Sequence, residues 1–129
     1  MRVLALDHGS ARCGCALSDP TGTLATPLPA VERPDSRAGR ARLAQMVRER
    51  EVEMVVVGLP LSLDGGDSDQ TRAARAFAAR LGEELAPVPV ELHDERLTTR
   101  LARRAGGAAN EDSRAAAHLL EGWLARREH

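Results

Sequence analysis
The run EMVVVGLP, residues 53–60, constrains this chain more than any other stretch. Met54 to Val57 carry no polar alternation. A strand here is buried on both faces, as in a parallel sheet covered by helices.

The flanking segments agree. RVLALD (2–7) predicts a short buried strand. CGCALSD (13–19) predicts a second, with Cys13, Cys15 and Leu17 alternating against small residues. Gly9 to Arg12 joins the two as a hairpin connection. Pro20, Gly22 and Pro27 bracket a third strand near Thr23–Leu28, and Pro29 to Pro34 reads as loop. Ser36 to Glu51 has helical period, with Leu43, Met46 and Val47 on one stripe. Residues 61–69 read as loop. Asp67 with Gln70 three residues later predicts a capping box opening a helix to about Leu85. VPVELHD (88–94) is the next strand. LTTRLARRA (97–105) predicts a short helix ended by Gly106 and Gly107, and residues 110 to about 127 a last helix. Strands come first, then alternating helix and strand, then two helices, which is an α/β layer architecture. At 129 residues one domain over 1–129 is expected.

Composition removes several classes of function. No secretory leader opens the chain and no apolar run is long enough to span a bilayer, so a soluble, cytoplasmic protein is expected. Cys13 and Cys15 have neither a second pair nor a nearby His, so they read as two buried reduced thiols rather than a zinc site. All 18 basic side chains are arginine, which offers planar bidentate donors to phosphate. The net charge of −1 predicts no general affinity for nucleic acid, so such a role must rest on local patches. One Phe, one Trp and no Tyr argue against a base-stacking platform.

Carboxylates fall at three element ends. Asp7 closes the first strand, Asp94 and Glu95 close the VPVEL strand, and Asp112 opens the last helix. Residues 112, 116, 119 and 123 share one helical face, and Ala116, Leu119 and Trp123 are apolar. That face should pack on the sheet and aim Asp112 toward it. Each acid also has a plainer reading: Asp112 complements the helix dipole, Asp7 belongs to turn chemistry beside His-Gly, and Glu95 ends a strand in solvent. Together they are how a fold assembles oxygen ligands for Mg²⁺ or Mn²⁺. Two such ions suit phosphoryl transfer, activating a water and stabilising the leaving oxygen.

The pattern D-x-G-x-x-R-x-G-x-A-x-S-D at Asp7, Gly9, Arg12, Gly14, Ala16, Ser18 and Asp19 resembles the first motif of a bacterial family. That family is the Holliday-junction resolvases also named pre-16S rRNA nucleases. VVGLPLSLDG (56–65) resembles its second motif, DERLTT (94–99) its third, and Asp112 with Ala115 and Ala116 its fourth. The resemblance covers essentially the whole chain in order. It implies a ribonuclease-H-like fold, a central mixed β-sheet flanked by helices. It implies a divalent-metal nuclease in which Asp7, Glu95 and Asp112 are the catalytic, metal-holding acids, with two Mg²⁺ or Mn²⁺ ions expected. One departure bears on substrate grip: family members usually carry basic residues just before the last Asp, and GGAANED here has none.

Arg96, Arg100 and Arg103 recur at helical spacing beside Arg104, opposite Leu97, Leu101 and Ala105. This basic face suits a phosphate strand, although a solvated helix face has the same pattern. Arg12 contacts the scissile phosphate or pairs with Asp19. Thr98 donates to phosphate or caps its helix. The arginines from Arg33 to Arg50 read as a solvent-exposed face, and His93 is given no role.

Two nucleic-acid substrates compete, the 5′ end of precursor small-subunit rRNA and a four-way DNA junction. A junction resolvase needs a two-fold dimer, whereas the RNA reading works with a monomer and ranks first. A ribosomal precursor particle is a candidate partner. A phosphate loop of the kinase and actin-like type also begins D-x-G after a strand, but 129 residues leave no room for the second domain it requires. A non-catalytic RNA-binding assembly factor is the third class.

Overall fold
The structure, a computed structural model, describes residues 1–60, 68–94 and 111–127, and of residues 111 and 112 the backbone alone. Five strands form one sheet: β1 (Val3–His8), β2 (Arg12–Ser18), β3 (Ala25–Glu32), β4 (Met54–Leu59) and β5 (Val90–Asp94). The spatial order is β3-β2-β1-β4-β5. β1, β4 and β5 run parallel; β2 is antiparallel to β1, and β3 to β2. Three helices are described: α1 (Arg37–Glu49), α2 (Asp69–Leu85) and α3 (Glu111–Arg127). The sheet is therefore mixed. The predicted strand 53–60 is β4, between the two other parallel strands and buried on both faces.

The strand period of two sorts the core into two clusters. On one face Leu4, Leu6, Val55 and Val57 pack with Phe77 and Leu81 of α2 and Leu43 of α1. On the other Val3, Ala5, Ala16 and Val56 pack under Ala116, Leu120 and Trp123 of α3. The expected apolar stripe of the last helix is the one that meets the sheet. Cys13 and Cys15 are free, fully buried and on the α1/α2 face. A hydrogen bond to Cys15 and burial push the Cys13 thiol up, which keeps it protonated.

Two boundaries differ from expectation. β3 continues through Pro27 and Pro29 to Glu32, where a loop from Pro29 is expected. β3 is the sheet edge, and an edge strand tolerates residues that lack an N–H on its open side. The N-cap of α2 is Ser68, whose hydroxyl accepts from the Thr71 N–H at 3.2 Å. That geometry, rather than the expected box from Asp67, starts the helix; Asp67 lies outside the described residues. At α1 the expected start holds, with Ser36 Oγ accepting from Gly39 N–H at 3.0 Å.

Candidate active site
Because β1, β4 and β5 are parallel, His8, Leu59 and Asp94 end at one edge of the sheet. Open α/β sheets place their ligand sites at this carboxyl edge. Asp7 lies there, half-buried, and opposite it on β2 is Gly14. Asp7 shares its side of β1 with Val3 and Ala5, so it is on the α3 face. The hairpin turn is closed by the backbone, with Gly9 N–H donating to the Arg12 carbonyl at 3.0 Å. An added Cβ on Gly9 would approach that carbonyl oxygen to 2.8 Å, which is why glycine sits there.

The next residue, His8, points to the other face. Its Nε2 is 2.9 Å from Asp35 Oδ2, and its ring lies 4.5 Å from that of Phe77. One strand end thus carries an acid on one side and an anchoring ring on the other. The His-Gly after Asp7 is strand terminus and anchor before it is turn.

Arg12 begins β2 on the same face parity as Gly14 and Ala16, and is exposed. Asp19 follows the opposite end of β2. Its carboxylate accepts from Leu24 N–H at 2.9 Å, Thr23 N–H at 2.8 Å and the Thr21 hydroxyl. These bonds hold it well below the usual carboxylate range. The expected alternative partner for Arg12 is therefore a turn-closing residue at the far edge of the sheet.

The start of α3 is fixed by a device the sequence does not announce. Between Cys13 and Cys15 the β2–β3 register shifts: two steps on β2 face three on β3, from Val31 to Leu28. Such a bulge interrupts the ladder. Ser113 fills the gap, its buried hydroxyl donating to the Leu28 carbonyl and accepting from Cys15 N–H at 3.3 Å. Cys15 lies opposite Leu6, next to the Asp7–Gly14 pair. The residue following Asp112 is thus pinned beside the strand that carries Asp7. Pro29, mid-strand in β3, is the one sequence signal that marks this bulge.

His93, on the α3 side of β5, is nearly fully buried, and its Nε2 has no hydrogen-bond partner among the described residues. Burial, with Arg126 adding to it, lowers its pKa and favours the neutral ring. Glu95, Arg96, Thr98, Arg100 and Arg103 lie outside the described residues, as does the Asp112 side chain. Among the described residues no three His, Cys, Asp or Glu side chains cluster as metal ligands. Of the expected trio, Asp7 alone is described with its side chain. Its chemistry fits a hard, oxygen-preferring ion. Among the described residues no helix is long and apolar enough to cross a membrane.

A family model described as RuvX: Holliday junction resolvase matches residues 1–126. A protein of Mycobacteroides abscessus is 43% identical over 98% of this chain and 82% of its own length. One from an Anaeromyxobacter species is 46% identical over 96% of each. Both carry the name "Putative pre-16S rRNA nuclease". Among solved structures, RuvC of T. thermophilus in complex with a Holliday junction substrate superposes with a TM-score of 0.63 at 17% identity, over 99% of this chain and 96% of that one. The same protein in a second structure gives 0.61, with 99% and 97% covered and 17% identity. The likeness shows a shared fold, the ribonuclease-H-like mixed sheet with helices on both faces.

Proposed function
The chain belongs to the RuvX family of Holliday junction resolvases, and from that premise we propose that it is a divalent-metal-dependent nuclease that trims the 5′ end of precursor 16S rRNA in the cytoplasm. Residues 1–129 act in this reading as one nuclease domain. The observation that carries it is the position of Asp7. An otherwise apolar central strand ends on a carboxylate at the carboxyl edge, on the face where Ser113 anchors the start of α3.

Asp7, Glu95 and Asp112 are the proposed metal-holding acids, with Mg²⁺ or Mn²⁺, two ions in all, as the bound group. Such ions, when bound, activate a water and stabilise the leaving oxygen of an in-line displacement. Asp7 contributes hard oxygen donors from a strand that cannot shift, because Leu6 and His8 lock its other side. Arg12 on the neighbouring strand neutralises the phosphate under attack. Arg96, Arg100, Arg103 and Thr98 are proposed to hold the flanking strand through its phosphates, which positions the substrate without reading its sequence. A monomer suffices for one RNA cut, and the ribosomal precursor particle is the proposed partner.

The second reading, cleavage of a four-way DNA junction, is favoured by the description of the matching family model. It requires a homodimer, since two symmetric strands are cut. The test is Mn²⁺-dependent cleavage of a labelled precursor-rRNA 5′ segment and of a four-way junction in one assay, wild type beside Asp7→Asn. Preferred cleavage of the RNA, lost in Asp7→Asn, is expected. Preferred cleavage of the junction moves the assignment to the second reading. Binding without cleavage by either protein identifies a non-catalytic assembly factor.

A further inference from the structure
Among the described residues, two non-glycine residues have left-handed backbone, Arg33 (φ 47°) and Glu51 (φ 53°). They sit at opposite ends of α1, and one of them is readily explained. Glu51 follows the C-cap Arg50, and Val52 N–H returns to the Val47 carbonyl at 3.0 Å. Helices commonly end with one left-handed residue in that place.

Arg33 has no such role. It precedes α1, and its conformation is imposed from several directions. Its N–H donates to the Ala11 carbonyl at 2.9 Å. Its carbonyl accepts from Ser36 N–H at 3.0 Å and from Ser36 Oγ at 2.7 Å. Gly39 is packed so closely beneath that an added Cβ would overlap the Arg33 carbonyl oxygen. Glycine or asparagine suits such a backbone better than arginine. The arginine side chain is exposed and joins neither core cluster. The nearest acid in sequence after it, Asp35, is engaged by His8. Among the described residues, local structure and packing therefore give no reason for an arginine here.

Its location does. The bond to Ala11 ties Arg33 to the hairpin turn between Asp7 and Arg12, and the preceding Glu32 lies directly opposite Arg12. Residues held in unfavourable backbone by their surroundings tend to mark working positions. We propose that Arg33 is a substrate-binding residue, a second guanidinium carried at the hairpin end of the sheet that contacts a backbone phosphate of the nucleic acid. It sets Arg33 apart from the other arginines up to Arg50, for which the expectation of a solvated face stands. It rests on the nuclease reading above and deepens it.

Arg33→Gly relieves the backbone while removing the contact, so two readouts move in opposite directions. The experiment measures binding of a fluorescein-labelled precursor-rRNA 5′ segment in EDTA across a salt series, with Tm from thermal unfolding. Arg33→Gly is expected to raise Tm, by about 2–4 °C, and to flatten the slope of log K against log salt by about 0.7–0.9. Arg33→Lys keeps the charge and is expected to retain the wild-type slope. Glu51→Gly relieves the same strain at the far edge, and its affinity should equal that of wild type. An unchanged slope and affinity in Arg33→Gly would overturn the assignment. Failure of the wild type to bind RNA would instead fall on the nuclease reading beneath it.

Discussion
The two faces of the sheet are built from different side chains. The α1/α2 face is large and aliphatic, with Leu4, Leu6, Val55, Val57, Phe77 and Leu81 filling it. On the α3 face the buried members include Ala5 and Ala16 of the sheet and Ala116 and Ala117 of the helix, beside the larger Leu119, Leu120 and Trp123. Each large side chain removed from water contributes about 1.5–3 kcal/mol, and more of them lie on the first face. Alanines contribute little area but let a helix approach closely. Asp7 and His8, adjacent on β1, fall on opposite sides of this division. His8 is absorbed into the packing against Phe77 and Asp35, and Asp7 lies on the face built for close approach. Asp7, the proposed metal-holding acid described with its side chain, lies on the face where the strand side chains are smaller.

That contrast breaks in opposite directions on the two faces. Leu6→Ala opens a cavity on the large face and should cost about 2–5 kcal/mol. Ala5→Leu overfills the α3 face, costing about 1–3 kcal/mol. The second change also pushes α3 from the sheet and should lower cleavage more than its stability loss explains. Denaturant unfolding with single-turnover cleavage separates the two. Equal residual activity in both variants, measured where both are folded, would show that α3 need not lie close.

Ser113→Ala sharpens the comparison at one bond. It leaves Cys15 N–H and the Leu28 carbonyl without the hydroxyl that bridges the bulge. The expected loss is about 1–3 kcal/mol. Hydrogen exchange should quicken at Cys15 while Leu6 and Val57 keep their protection. A uniform change across the sheet would mean that the bulge is not a separate hinge point.

The smallest expected effect lies at the amino edge. Folding lowers the Asp19 pKa through the Leu24 N–H and the Thr21 hydroxyl. The stability it contributes is therefore present above roughly pH 4, the unfolded carboxylate range, and is lost as pH falls through the folded value. Asp19→Asn should lower Tm slightly at neutral pH, with the gap to wild type closing in acid. A gap independent of pH would remove this carboxylate from the acid response.

Much of the fold was legible in local pattern. The apolar run at 54–57, the hairpin about Gly9 and the Ala116–Leu119–Trp123 stripe each state their structure through period and turn chemistry. What escaped depends on neighbours distant in sequence. Pro29 can stay in β3 because β3 is an edge, and edge status is a property of strand order. Ser113 looks like any first-turn serine until the β2–β3 bulge supplies its partners. Arg33 looks like one arginine of six between 33 and 50 until its φ and the Ala11 bond are known. The strand-end position of Asp7 was legible because a charged residue ending a buried strand is itself a departure from pattern. The expectations for Glu95 and for the helix over 97–105 lie outside the described residues, and Asp112 is described by its backbone alone.

The central claim is that Asp7, not its neighbour, holds a divalent ion at the carboxyl edge. The measurement that tests it most directly is calorimetric titration of Mn²⁺ into wild type, Asp7→Asn and His8→Phe, without nucleic acid. The account predicts saturable binding by wild type and His8→Phe, and at least about tenfold weaker binding by Asp7→Asn, since loss of even an outer-shell partner costs that much. Binding by Asp7→Asn equal to that of wild type would contradict it.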